Sequence, residues 1–301
     1  MAIRYIRQKD INYSLWDRCI NYSLNGVIYA QSWFLDIVAK KWDALVEDDY
    51  KTVMPLTFHR KFLHRELFNP PFAKQLGIFS EKPLNHSKIE KFMNHIPIIY
   101  RKLNICFNRH NSQSLKLPDA EHKYAYELDL ITPYEKKSKL YSKKLRTQLE
   151  QAHQKRFSVV RNISLYEFES FVVNCNDADN ESHLFKMLRQ ILSRLTHTGK
   201  AEITGVYNYV NELDTVACFV KSNNNVVLFY GKSKNNEDSV LTVYLLIDDF
   251  LRTYSGRNVT LSLEHFDKYC NEEIYSEFGA IKCSYICFSQ NKLPYFLKWM
   301  K

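Results

Sequence analysis

The residues best placed to do chemistry lie between Val226 and Glu264. Phe229, Tyr230 and Gly231 end an apolar, aromatic run, and Lys232-Ser233-Lys234-Asn235-Asn236-Glu237-Asp238-Ser239 follows before the pattern turns helical. The first N–H groups of a helix have no partner within it, so a polar loop that opens a helix is a ready place to hold an anion. Lys232 and Lys234 add positive charge there, while Glu237 and Asp238 oppose it. Further on, an apolar run ends at Glu264, a carboxylate at the carboxyl end of a strand, where ligands of β-α-β units collect.

The elements that must position these residues are legible in the same stretch. Val226 to Tyr230, bounded by Asn223, Asn224 and Asn225 before it and Gly231 after it, predicts a buried strand. A helix opens near Asp238 or Ser239, either a good N-cap. Its apolar positions Val240, Val243, Tyr244, Ile247, Phe250 and Leu251 recur at helical spacing, and Asp248, Asp249 and Arg252 take the other side. Gly256 ends it. Val259 to Leu263 is the second strand, and the whole is a crossover unit.

The chain has 301 residues, 45% of them hydrophobic and 14% aromatic, enough for two cores and too apolar for disorder. MAIRYIRQKD lacks the apolar core of a signal peptide, and no apolar run approaches the ~18 residues of a spanning helix, so a cytoplasmic protein without membrane insertion is expected. Seven cysteines from Cys19 to Cys287 make no disulfide framework, and Cys283 and Cys287 are expected to be buried thiols. No His pair and no C-x-x-C has the spacing of a metal site. P-loop, dinucleotide and nucleophile-elbow motifs are absent.

Read in order, each half repeats one pattern. Ile3–Ile6, Ile11–Tyr22, Ala30–Lys41, Ala44–Glu47, Thr52–His59, Leu76–Phe79, His86–His95, Asn104–Asn108 and Tyr124–Leu130 read as strand, two helices, a hairpin about Asp48-Asp49-Tyr50-Lys51, strand, helix and two strands, the last closing the first half. A helix at Leu184–Leu195, strands at Glu202–Tyr207 and Thr215–Lys221, and the crossover follow. This order predicts two copies of one mixed α/β unit: domains at 1–132 and 163–301, joined by a connector helix and linking strand over 133–162. The connector, Tyr134 to Arg161, holds nine Lys/Arg against two Glu, a surplus of seven within a chain of formal charge +9. On a helix, Lys136, Lys139, Lys143 and Arg146 share one face, with Tyr141, Leu145, Leu149 and Ala152 opposite. Such a face is either simply solvated or a platform, through Lys139, Lys143 and Arg146, for a phosphate-rich cofactor, tRNA or an anionic cell-wall precursor.

Several runs together resemble the FemAB-like branch of the GNAT acyltransferase superfamily. They are SKKLRTQLEQAHQKRFSVV with its Arg146 to Ala152 spacing, GVYNYVNELDTVACFV, FYGKSKNN and LSLEHFDKYCNEEIYSEFGA, with GVIYAQSWFLDIV and NPPFAKQLGIFS earlier in the chain. The resemblance implies a tandem GNAT fold whose second unit holds acyl-CoA or aminoacyl-tRNA and passes the acyl group to an amine of a small molecule or peptide. It places the donor against Phe229, Gly231, Lys232, Ser233, Lys234 and Ser239. It makes Glu264 the base or amine-orienting carboxylate, with Tyr230 or Tyr275 returning a proton and no metal involved. The usual pyrophosphate loop is glycine-containing, whereas residues 232–239 have no glycine, which counts against coenzyme A. The alternative is a catalytically silent module that binds an anionic ligand or a partner protein.

Overall fold

The computed structural model describes residues 2–61, 64–115, 120–175, 182–222, 225–263 and 272–294. The chain forms two compact units: residues up to Tyr124 with those from Ser284 on, and Ala125–Cys283.

The first unit opens with β1 (Ile3–Ile6), α1 (Tyr13–Tyr22) and α2 (Ser32–Val38). Asn12 caps α1 by accepting from Leu15 N–H at 3.1 Å, and the helix buries Trp16, Cys19 and Ile20, one stripe at helical spacing. β2 (Trp42–Glu47) and β3 (Thr52–Arg60) form the expected hairpin. Asp48, Asp49 and Tyr50 all have positive φ in its turn, and the Tyr50 hydroxyl anchors it by accepting from Asn12 N–H at 2.8 Å. β4 (Arg65–Leu67), β5 (Phe79–Ser80), α3 (His86–Asn94), β6 (Tyr100–Cys106) and α4 (Arg109–Ser114) complete the run. β1 to β4 pair antiparallel in order, β4 runs parallel to β6, and β5 adds to β3. Asp43, 4% exposed, ties four of these strands by accepting from Tyr5 at 2.5 Å and Tyr100 at 2.8 Å, and by pairing with Arg65. Burial and this carboxylate push the Tyr100 phenol well above its ordinary range.

Next comes β7 (Glu121–Asp129), which does not close the first half as expected. From Tyr126 to Asp129 it pairs antiparallel with a strand of the second unit. α5 (Tyr134–Ser138) and α6 (Lys143–Gln154) replace the single connector helix, because Ser142 starts a new helix by accepting from Leu145 N–H at 3.0 Å. Tyr141, Leu145 and Ala152 are buried as the spacing requires.

β8 (Ser158–Arg161), α7 (Leu165–Cys175), α8 (His183–His197), β9 (Ala201–Tyr207), β10 (Leu213–Ser222), β11 (Asn225–Ser233), α9 (Ser239–Tyr254), β12 (Thr260–Leu263) and α10 (Glu272–Glu277) follow. β8 to β11 are antiparallel in order, β11 is parallel to β12, and β7 flanks β12. Both units therefore share one topology, a mixed α/β sheet with a helical crossover.

The last strand, β13 (Ile281–Asn291), corrects the expectation that the second domain extends to the chain's end. From Cys287 to Asn291 it pairs antiparallel with β6 of the first unit. Cys287 lies directly opposite Cys106 and the two are joined as a disulfide, so Cys287 is not the free thiol foreseen from the sequence. Each unit thus receives its flanking strand from the far side of the other unit's sequence.

Candidate active site

The site is built around a slip in the sheet. β10 and β11 pair Cys218 with Tyr230 and then Phe219 with Leu228, so Phe229 is the extra residue of a β-bulge. On the other side, β12 runs beside β11 only from Asn225 and Thr260 to Leu228 and Leu263. From Phe229 to Ser233, β11 keeps its ladder to β10, and β12 offers no described residue opposite it. The two parallel strands diverge just ahead of the bulge.

Alternation along β11 sends Val226 and Leu228 into the core under α9. Tyr230, half-buried, lies edge-on against Phe168 of α7, with ring centroids 5.7 Å apart. Tyr275 is buried in the α9 layer, 5.3 Å from the Tyr126 ring. The structure thus puts the two tyrosines named by the sequence in different layers and does not bring them together. Glu264 lies outside the described residues.

The loop into α9 is held shut by its own side chains. Asn236 donates to Asp214 Oδ1 at 2.9 Å and accepts from Asp238 N–H at 3.1 Å, while Asn236 N–H donates to Ser239 Oγ at 3.2 Å. The Ser239 hydroxyl reaches the Lys234 carbonyl. Ser233 accepts from Thr215 at 3.0 Å, and Thr215 meets Thr242 at 2.6 Å, all in the interior. The hydroxyls of Ser233 and Ser239, read from the sequence as ligand contacts, therefore serve the fold. The Lys234 ammonium binds Glu212 at 3.2 Å and holds that carboxylate below its usual range. Lys155 of the connector pairs with Asp238. In the first turn of α9, the N–H groups of Val240 and Leu241 have no acceptor among the described residues.

A second polar centre lies along α9. Periodicity puts Asp248 on the polar side, yet it is 1% exposed. Its oxygens accept from Tyr134 at 2.9 and 3.0 Å, from Tyr141 at 2.9 Å and from Arg252 at 3.2 Å. Three donors replace the water that a buried carboxylate loses. Burial and then this carboxylate raise the Tyr141 phenol above its ordinary range. Asp249 is held by Arg161 through two bonds of 2.9 Å. Beside them a hollow of about 180 Å³ is lined by residues that include His153, Phe157, Asp248 and Arg252. Among the described residues no group of three His, Cys, Asp or Glu side chains is placed to hold a metal, and no helix is long and apolar enough to cross a membrane.

No family model matches the sequence, and no curated protein matches it by sequence. Solved structures do. FemX superposes with a TM-score of 0.66 over 99% of this chain and 100% of its own, at 11% identity. A tandem GNAT protein from the clavulanic acid biosynthesis pathway gives a TM-score of 0.50 over 97% and 99%, also at 11% identity. L-PGS from Bacillus licheniformis gives 0.51 over 84% and 85%, at 8% identity. At such identities the likeness concerns the fold, and it is plain: the chain has the FemAB-like tandem GNAT fold that its motifs implied. The bulged β11, the divergence of β12 and the crossover through α9 are that fold's second unit.

Proposed function

We propose that the second unit transfers an acyl or aminoacyl group to an amine acceptor, in the gap that opens where β12 leaves β11. The observation that carries this reading is the pairing register, which ends at Leu228 and Leu263, one residue before the bulge at Phe229. A bulge re-aims the backbone groups beside it, and backbone N–H groups alongside a carbonyl stabilise its oxyanion as the amine adds. An ester or thioester is already activated, so the rest is alignment and a route for the amine's proton. Glu264 follows Leu263 in the chain and supplies the carboxylate that takes that proton or holds the amine. The amine nitrogen bonds to the carbonyl carbon, the ester C–O bond breaks, and the leaving hydroxyl collects the proton. Tyr230, beside the bulge, is the second titratable group of this strand end.

The donor we assign is an aminoacyl ester, aminoacyl-tRNA, rather than acyl-CoA, and the acceptor is an amine on a small molecule or peptide. The closed loop supports this choice. A diphosphate needs a run of open N–H groups, and those of Asn236 and Asp238 are taken within the loop, leaving Val240 and Leu241. Such a donor places the reaction in the cytoplasm. The test is calorimetric titration with acetyl-CoA and, separately, with charged tRNA. Saturable binding of charged tRNA and none of acetyl-CoA is expected. One-to-one binding of acetyl-CoA, lost on replacing Lys232 and Lys234 by Ala, would put a diphosphate at the loop and reverse the donor assignment.

A further inference from the structure

We infer that the tip of the connector is a docking surface for an anionic phospholipid membrane, with Leu140 as its apolar contact. Leu140 stands in the break between α5 and α6 and is 83% exposed. Its neighbour Tyr141 is buried, with its phenol bonded to Asp248 at 2.9 Å, and a residue fixed inward turns the next one outward. The break is braced further. Leu140 N–H donates to the Lys137 carbonyl at 2.9 Å, and Arg146 donates to the Lys139 carbonyl at 2.8 Å. Ser142 caps α6 and donates to Glu277. A leucine on a braced loop cannot fold away into the core.

The charges of the segment sort themselves around it. Lys144 pairs with Glu273 and Lys155 with Asp238, whereas the exposed Lys136, Lys139 and Lys143 meet no carboxylate among the described residues. The surplus positive charge is therefore concentrated where Leu140 projects. Exposed lysines around a projecting apolar side chain match what an anionic bilayer surface offers, counter-charge at the headgroups and an apolar layer just beneath. Either attraction alone is weak, and together they give reversible binding without insertion. RNA fits the surface less well. Bases bind such grooves by stacking on aromatic rings, and both tyrosines of this stretch, Tyr134 and Tyr141, are bonded to Asp248.

The experiment is co-sedimentation of the full chain with phosphatidylcholine vesicles, with and without phosphatidylglycerol, over a salt series. Binding is expected only to the anionic vesicles and should weaken as salt rises. Replacing Lys139 and Lys143 by Ser should weaken it roughly fivefold per lysine. Leu140→Ser, at an exposed position where folding is not at risk, should weaken it about tenfold. Leu140→Trp should retain binding and have its fluorescence quenched by brominated lipid. Failure to sediment with anionic vesicles overturns the inference. So does a Leu140→Ser variant that binds as tightly as the parent while the lysine variant does not, since that pattern is attraction to any polyanion, RNA included.

Discussion

The two crossovers have the same topology and opposite interiors. In the first unit β4 has three residues and pairs with β6 at Arg65 with Tyr100 and Glu66 with Lys102, with a slip between. The chain then refills the place it has left: Leu76 bridges to Phe107 in parallel, its N–H bonding the Cys106 carbonyl at 2.9 Å and its own carbonyl accepting from Asn108 N–H at 2.8 Å. Asn69, Asn108 and Asn111 lace that return together through backbone groups at Cys106, Leu76 and Ile78. In the second unit β11 and β12 pair in unbroken register and then diverge, and the chain goes directly into α9, which buries twelve of its sixteen residues. One copy has plugged its strand gap with its own backbone and the other has left it. That difference, more than any single side chain, says which copy can admit a substrate.

The widest break in the comparison would come from the chemistry. Glu264→Gln should lower the transfer rate by ~10²- to 10⁴-fold while leaving donor binding nearly intact, and Asn69→Ala in the first unit should change stability and not the rate. An unchanged rate in the Glu264 variant would remove that residue from the reaction. Next in size is Asp248→Ala, which strands the buried Tyr141 phenol and the Arg252 guanidinium. A loss of about 2–3 kcal/mol in denaturant unfolding is expected.

The glycines sharpen the contrast between a plugged and an open interior. A Cβ on Gly77 would come within 2.4 Å of Asn111 Oδ1 and 2.8 Å of the Phe107 ring, at φ +99°. Gly77→Ala should therefore cost about 2 kcal/mol or more, through strain and overpacking together. Gly256, at φ +82°, has open space around the same position. Gly256→Ala carries the backbone strain alone, about 1 kcal/mol. Equal losses at the two sites would mean that the first unit's return segment is looser than its hydrogen bonds imply.

The smallest effect is in pH. Tyr141 is raised above its ordinary value of 10.0, so on raising the pH the unfolded chain releases this proton first. Stability should be flat below that range and fall above it. Tyr141→Phe should make the alkaline decline shallower in thermal unfolding followed by circular dichroism.

Much of this is legible in the residues because it is local. The run Val226–Tyr230, the apolar positions of α9 and the N-cap preference at Asp238 and Ser239 each need only a window of the chain. Asp248 misleads because its spacing gives a face, while the donors that bury it, Tyr134 and Tyr141, are over a hundred residues away. Ser142 is a helix start that the basic run conceals, since lysines on both sides continue the same charge pattern. Cys106 and Cys287 are 181 residues apart, and neither shows in its own neighbourhood that the other lies opposite. Alternation in β7 tells which side chains share a face and is silent on which strand it joins.

The crossing over of β7 and β13 has a consequence for how this gene could have changed. A duplicated domain can ordinarily be lost, recombined or moved to another protein as a cassette. Here any cut that separates the halves leaves β6 and β12 each with a bare edge, because the strand that covers it is encoded with the other half. The two copies are therefore inherited as one, and mutation can silence one of them without deletion ever being able to follow.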